Sequence, residues 1–158
     1  MTQERKQEFT RRIVQANKTQ MITILYEMVI DYLEEALDAI GSGDKEHARV
    51  LLSYAQSCID ELIRSVNREY ELGRILSDIY IFSKKELTAA AINYSQHRIW
   101  KVEQNFKMLC SAYRELEKND TSAPMMGNTQ TVYAGLTYGK YRLNEDVTAV
   151  SMNRGVMA

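Results

Sequence analysis

Apolar residues recur along this chain at intervals of three and four, in four long runs separated by short polar or glycine-containing breaks, the signature of amphipathic helices. The first run spans Gln20 to Ile40. Its polar positions are Gln20, Thr23, Glu27, Asp31, Glu34, Glu35 and Asp38, and everything else is apolar. Asn17-Lys18-Thr19-Gln20 in front of it fits a capping box, and Gly41-Ser42-Gly43 closes it. Asp44 is placed to cap a second helix reaching about Arg68, with Val50, Leu51, Leu52, Ala55, Cys58, Ile59, Leu62, Ile63 and Val66 inward. A third helix is predicted from about Glu71 to Ile92, with Leu72, Leu76, Ile79, Tyr80, Leu87 and Ala90 at helical spacing. Gly73 is a weak point at its start. Asn93-Tyr94-Ser95-Gln96 reads as another Asn-x-x-Gln box. Beyond it Ile99, Val102, Phe106, Leu109, Tyr113 and Leu116 form a seam spaced 3-4-3-4-3. No strand-like alternation precedes residue 120.

Long helices joined by short connections become antiparallel neighbours. The expected fold is therefore all-α, an antiparallel up-down four-helix bundle over residues 1–118. Residues 1–16, with Phe9 and Ile13 four apart, are expected to form an N-terminal arm or short helix. From Asn119 the texture changes to a turn-rich linker containing Pro124, the single proline. A non-helical C-terminal tail follows, with Tyr133, Tyr138 and Tyr141 set among glycines. This tail is read either as a plain extension or as a segment that docks over the bundle as a placeholder.

Charge adds one feature. The net charge is −1, which gives no electrostatic case for nucleic acid. Its distribution is uneven, however: residues 1–20 sum to +3 and residues 21–41 to −5. No apolar run is long enough for a membrane span, and no charged-then-apolar leader opens the chain, so a cytoplasmic protein is expected. Cys58 and Cys110 lie within helical patterns without metal-ligand spacing, as reduced core residues would. His47 and His97 are preceded three residues earlier by Asp44 and Tyr94, so the Glu-x-x-His pairs of a di-metal bundle are missing. No phosphate-binding glycine loop is present, and no nucleophile has identifiable partners. No cofactor or metal is expected, and no enzymatic activity.

The first long helix carries the informative anomaly. On a helical wheel its acidic stripe takes roughly a quarter of the circumference and apolar side chains roughly two thirds, where a bundle helix needs little more than about 100°. One flank holds Met21, Ile24, Met28 and Tyr32; the other holds Tyr26, Ile30, Leu33 and Leu37. Something besides three sister helices should cover the surplus. The candidates are the N-terminal arm, the tail, a homodimer mate or a foreign amphipathic helix in a groove.

These phrases carry a family resemblance. Leu25-Tyr26-Glu27-Met28 with Ala36 and Ile40, then Ala55-Gln56-Ser57-Cys58-Ile59-Asp60-Glu61-Leu62, then Ile79-Tyr80-Ile81-Phe82 with Leu87 and Ala90, and finally Leu109-Cys110-Ser111-Ala112-Tyr113, follow in that order. Across residues 17–117 the sequence resembles flagellar export chaperones of the FliS type. Met28, Ala91 and Tyr113 depart from the family's small residue, asparagine and tryptophan, and the tail is longer than the family needs. The resemblance implies a non-enzymatic cytoplasmic chaperone. Its client would be the C-terminal amphipathic segment of flagellin, kept from premature polymerisation and delivered to the flagellar export gate. Leu25, Tyr26, Ile30, Leu33, Ile79 and Tyr80 are the groove candidates. The competing expectation is a homo-oligomeric structural bundle.

Overall fold

A computed structural model describes residues 1–126. It contains α1 (Gln3–Gln15), α2 (Lys18–Gly41), α3 (Lys45–Ser65), α4 (Glu71–Asn93) and α5 (Gln96–Glu117). The described residues include no strand; the tyrosine-rich tail lies outside them.

Side-chain pairs fix the directions. Tyr32 meets Tyr54 and Glu35 meets His47, so α2 and α3 run antiparallel. Gln56 donates to Thr88 and Lys84 pairs with Asp60, so α3 and α4 do too. Arg98 pairs with Glu86 across α4 and α5, and Glu27 and Glu34 of α2 meet Arg114 and Lys107 of α5. The four long helices thus close a ring in which each opposes its two neighbours.

Local chemistry sets the boundaries. Asn17 accepts from the Gln20 amide at 2.9 Å while Gln20 Oε1 accepts from the Asn17 amide at 3.0 Å, the reciprocal box expected from sequence. Asp44 caps α3 through the His47 amide. Val50, expected inward, is 46% exposed; at 100° per residue it falls outside the arc that buries Leu51, Leu52 and Ala55. The second Asn-x-x-Gln box does not form. Tyr94 adopts a left-handed conformation, φ 54°, that ends α4; Asn93 closes that helix, and Ser95 caps α5 by accepting from the Arg98 amide. Two helices share the short segment read from sequence as one cap.

Gly73 is the third residue of α4, in its first turn as expected, and it is buried. The turn from α3 passes so close that a Cβ at residue 73 would sit 1.7 Å from the Asn67 carbonyl oxygen. Gly73→Ala must therefore displace backbone. It is expected to destabilise the chain by about 1–3 kcal/mol, despite alanine's better helix propensity; a urea melt measures this. An unchanged midpoint would mean that the turn yields freely.

The surplus of α2 is covered by the chain itself. α1 lies antiparallel on its acidic side, with Arg5 bonded to Asp31 at 2.7 Å, Arg12 bonded to Glu27, and the N-terminal ammonium paired with Glu35. Phe9 and Ile13 are fully buried in the core, each worth about 1.5–3 kcal/mol of apolar burial. Of the cover candidates, the N-terminal arm is the one the structure shows. It is a thirteen-residue helix, and the acidic stripe is its seat as well as that of the α5 cations. Ile24, Met28 and Tyr32 are buried on one flank, Tyr26 and Leu33 on the other; Met21, Ile30 and Leu37 are partly buried.

Glu27 is the electrostatic centre of this packing. It accepts from Arg12 of α1 and from Arg114 of α5 at 3.1 Å. Burial works against its charge, but the two guanidiniums outweigh it and hold the carboxyl below its ordinary value. A carboxylate whose folded pKa is depressed stabilises the fold above the unfolded value, and that stability is lost as pH falls through the folded one. Both arginines are partly exposed, so the contribution is about 1 kcal/mol. Urea midpoints at neutral pH and near pH 3 should therefore differ less in Glu27→Gln than in the wild type. An identical acid dependence in both would remove Glu27 as a source.

Residues 119–126, the described part of the segment expected to be a linker, are mostly exposed but tied to the start of α2 by hydrogen bonds. Asn17 Nδ2 donates to the carbonyls of Asp120 and Ser122, Thr19 donates to the Asp120 carboxylate, and the Met125 amide donates to the Ala16 carbonyl at 3.0 Å.

Candidate partner-binding surface

Among the described residues, the long exposed apolar stripe lies on α4. Leu72, Ile75, Ile79 and Phe82 are spaced 3-4-3. Leu72 is 60% exposed, Ile75 and Phe82 each 50%, and Ile79 is half-buried. Glu86, which bonds Arg98 of α5 at 2.7 Å, marks the edge of α4 that faces α5. At 100° per residue Ile79 and Leu72, seven and fourteen positions before Glu86, share that edge, with Ile75 and Phe82 just outside it. On α5, Leu109 and Leu116 stand eleven and eighteen positions after Arg98 and return to its edge. Leu109 is half-buried and Leu116 is 50% exposed. The two rows border the line where antiparallel α4 and α5 meet and together present an exposed apolar surface.

An aromatic cluster joins α5 to α2 and α4. Tyr113 of α5 is half-buried, and its ring meets Tyr26 edge-on, with centroids 5.2 Å apart. Beneath it Tyr26 and Tyr80 join hydroxyl to hydroxyl, and both pack on Phe106. Burial, the main cause, pushes both phenols well above their ordinary pKa. They remain protonated, so the contact is a hydrogen bond between neutral groups.

The six residues proposed from sequence separate under this geometry. Leu25, Tyr26, Leu33 and Tyr80 are interior, covered by the chain's own helices. Ile30 is half-buried on the side of α2 that faces α5. Ile79 stands on the exposed stripe beside Leu72, Ile75 and Phe82. Sequence reading had not separated that row from the inward one, Leu76, Tyr80, Leu87 and Ala90. The missed signal was a second 3-4-3 line on one helix. Leu72, read from sequence as one of a helically spaced row, and Leu116, read as part of the seam, are both exposed.

The opposite edge of α4 carries a shallow depression of about 600 Å³ lined by Ile63, Ile81, Lys84, Lys85, Thr88, Ala89 and Ile92. Among the described residues no three His, Cys, Asp or Glu side chains cluster as metal ligands, and no helix is long and apolar enough to cross a membrane. Cys58 is enclosed, its thiol pushed up to about 12 by burial, and it is correspondingly unreactive.

No curated protein matches the chain. The family model described as "Flagellar protein FliS" matches residues 1–120, which takes in all five helices and the first residues beyond α5. With about three-quarters of its length under that match, the chain belongs to the FliS family of flagellar export chaperones.

Proposed function

We propose that this protein acts in the cytoplasm as a chaperone for flagellin, holding the client's C-terminal amphipathic segment before export. The reading carries through to preventing premature polymerisation and to delivery at the export gate. The observation that carries it is the exposed apolar surface along α4 and α5, in a chain whose family is one of flagellar export chaperones. A helix-forming client with apolar residues every three or four positions would lay that face against Leu72, Ile75, Ile79 and Phe82. Burying these half-exposed side chains gains about 25 cal/mol per Å² of apolar area. Ordering the client offsets part of that gain and leaves an affinity low enough for release.

Of the sequence-proposed site residues, Ile79 would touch the client. Tyr26 and Tyr80 would support Tyr113 beneath it, and Leu25, Ile30 and Leu33 would hold α2 against its neighbours. The chemistry required is reversible burial of apolar surface, with no bond made or broken. The test is calorimetric titration of the full chain with a peptide of the flagellin C-terminal segment. The expected result is a dissociation constant of about 1 µM or below with a negative heat-capacity change. Absence of binding at about 100 µM would reject the reading.

A further inference from the structure

The exposed row on α4 begins at the end of the bundle where the chain leaves it. α2 and α4 both run opposite to α3, so α4 starts at the same end as α2, and α5 finishes there. At that end Leu72 and Leu116 are exposed, and the Met125 amide ties the departing chain to the Ala16 carbonyl. Met126 packs against the core, and residues 127–158 follow. Residues 127–131 reach about 17 Å at full extension, enough to cross the end of one helix about 10–12 Å wide. Residues 132–143 then reach about 40 Å, against about 15 Å from Leu72 to Phe82 along α4. This stretch carries Val132, Tyr133, Leu136, Tyr138, Tyr141 and Leu143; its charges are Lys140 and Arg142, with no acidic residue among them. The row on α4 is flanked by Glu71 and Asp78, both exposed and without an ion pair among the described residues. Arg74, the cation between them in sequence, turns back to the carbonyls of Arg68 and Glu69 at 3.5 and 3.3 Å.

We propose that residues 132–143 lie over the exposed row of α4 in the client-free protein, with their tyrosines against Ile75, Ile79 and Phe82 and their two cations beside Glu71 and Asp78, and that a client must displace them. The occupant is this chain's own segment for three reasons. It departs from the end where the row begins, it is long enough to span the row, and it carries the charge that the Glu71–Asp78 flank lacks. Tethering presents it at an effective concentration of about 1 mM, so a contact too weak to hold a free peptide keeps the row covered. Client affinity then falls in proportion to the fraction of the protein left uncovered. The competition rests on the client reading; the docking does not, because it is read without peptide.

A spin label on Ala134→Cys in the full chain reports the docking, since Cys58 and Cys110 are buried. The methyl signals of Ile75 and Ile79 are expected to broaden, while those of Val50, on α3 toward the other end of the bundle, stay sharp. Tyr138→Ser with Tyr141→Ser should abolish the broadening and leave helical circular dichroism unchanged. Lys140→Glu with Arg142→Glu should weaken it, and adding Glu71→Lys with Asp78→Lys should restore it. The double serine variant should also bind the flagellin C-terminal peptide about threefold to tenfold more tightly than the wild type, the change expected when the row is covered about two-thirds to nine-tenths of the time. Sharp Ile75 and Ile79 signals in the labelled protein would overturn the proposal. So would broadening that survives the two serines, or that grows with protein concentration and therefore comes from a second copy. No recovery in the charge exchange would overturn the pairing with Glu71 and Asp78, and equal peptide affinity in the two proteins would overturn the competition.

Discussion

Tyr26→Ala is expected to cost about 3–5 kcal/mol of stability and to lower the thermal midpoint by roughly 10–20 °C. Tyr26 has no exposed surface, and its ring is enclosed by Tyr80, Phe106 and Tyr113 from two other helices. Truncation opens a cavity at the point where α2, α4 and α5 meet. It also strips the buried Tyr80 hydroxyl of its partner, and an unpaired buried hydroxyl adds about 1–3 kcal/mol. Tyr26→Phe separates the two losses, since it keeps the ring and forfeits only the hydrogen bond, at about 1 kcal/mol. Calorimetric melts of the three proteins measure the difference. If Tyr26→Ala melted like the wild type yet lost the flagellin peptide, Tyr26 would belong to the client surface and not to the core.

The paired change Ile75→Glu with Phe82→Glu is expected to do the reverse. Both side chains are half exposed in the client-free protein, and glutamate is a good helix former. The melting midpoint should therefore stay within about 2–3 °C of the wild type. Placing two carboxylates on this surface should weaken binding of the flagellin C-terminal peptide by about 100-fold, the effect of two interface residues worth about 1.5 kcal/mol each. Titration calorimetry on the folded variant gives the answer, and undiminished affinity would remove the α4–α5 surface as the client site. Together the two variants separate what holds the helices to one another from what they offer to a guest.

Sequence periodicity captured most of the architecture because it reports burial directly. The four long helices, the reciprocal Asn17–Gln20 cap, the Asp44 cap and the Phe9–Ile13 pair of the first helix were all legible. What it could not rank was which apolar line on a helix faces the interior. α2 has the larger apolar arc, yet α1, α3 and α5 pack around it and leave none of its large apolar side chains fully exposed, with Met21, Ile30 and Leu37 partly buried. The arginines of α1 neutralise the acidic stripe that a wheel would assign to solvent. On α4 the excess is smaller in arc and stays exposed, because its Leu72–Phe82 edge lies outside the ring and only α5 borders it. The difference lies in the number of neighbours a helix has, a property of topology absent from any single helix's sequence. The Asn93–Gln96 phrase misled for a related reason: a cap motif has meaning only where the preceding helix has already ended, and here it ends at Asn93.

Asn17 performs two tasks at once. Its carbonyl oxygen starts α2, while its amide nitrogen holds the backbone of Asp120 and Ser122. Ala16, immediately before it, receives the Met125 amide. The beginning of the second helix is consequently a knot joining points more than a hundred residues apart in the chain. Loosening the first helix there would release the far end in the same event, so the two extremities of the described fold should breathe together as one cooperative unit.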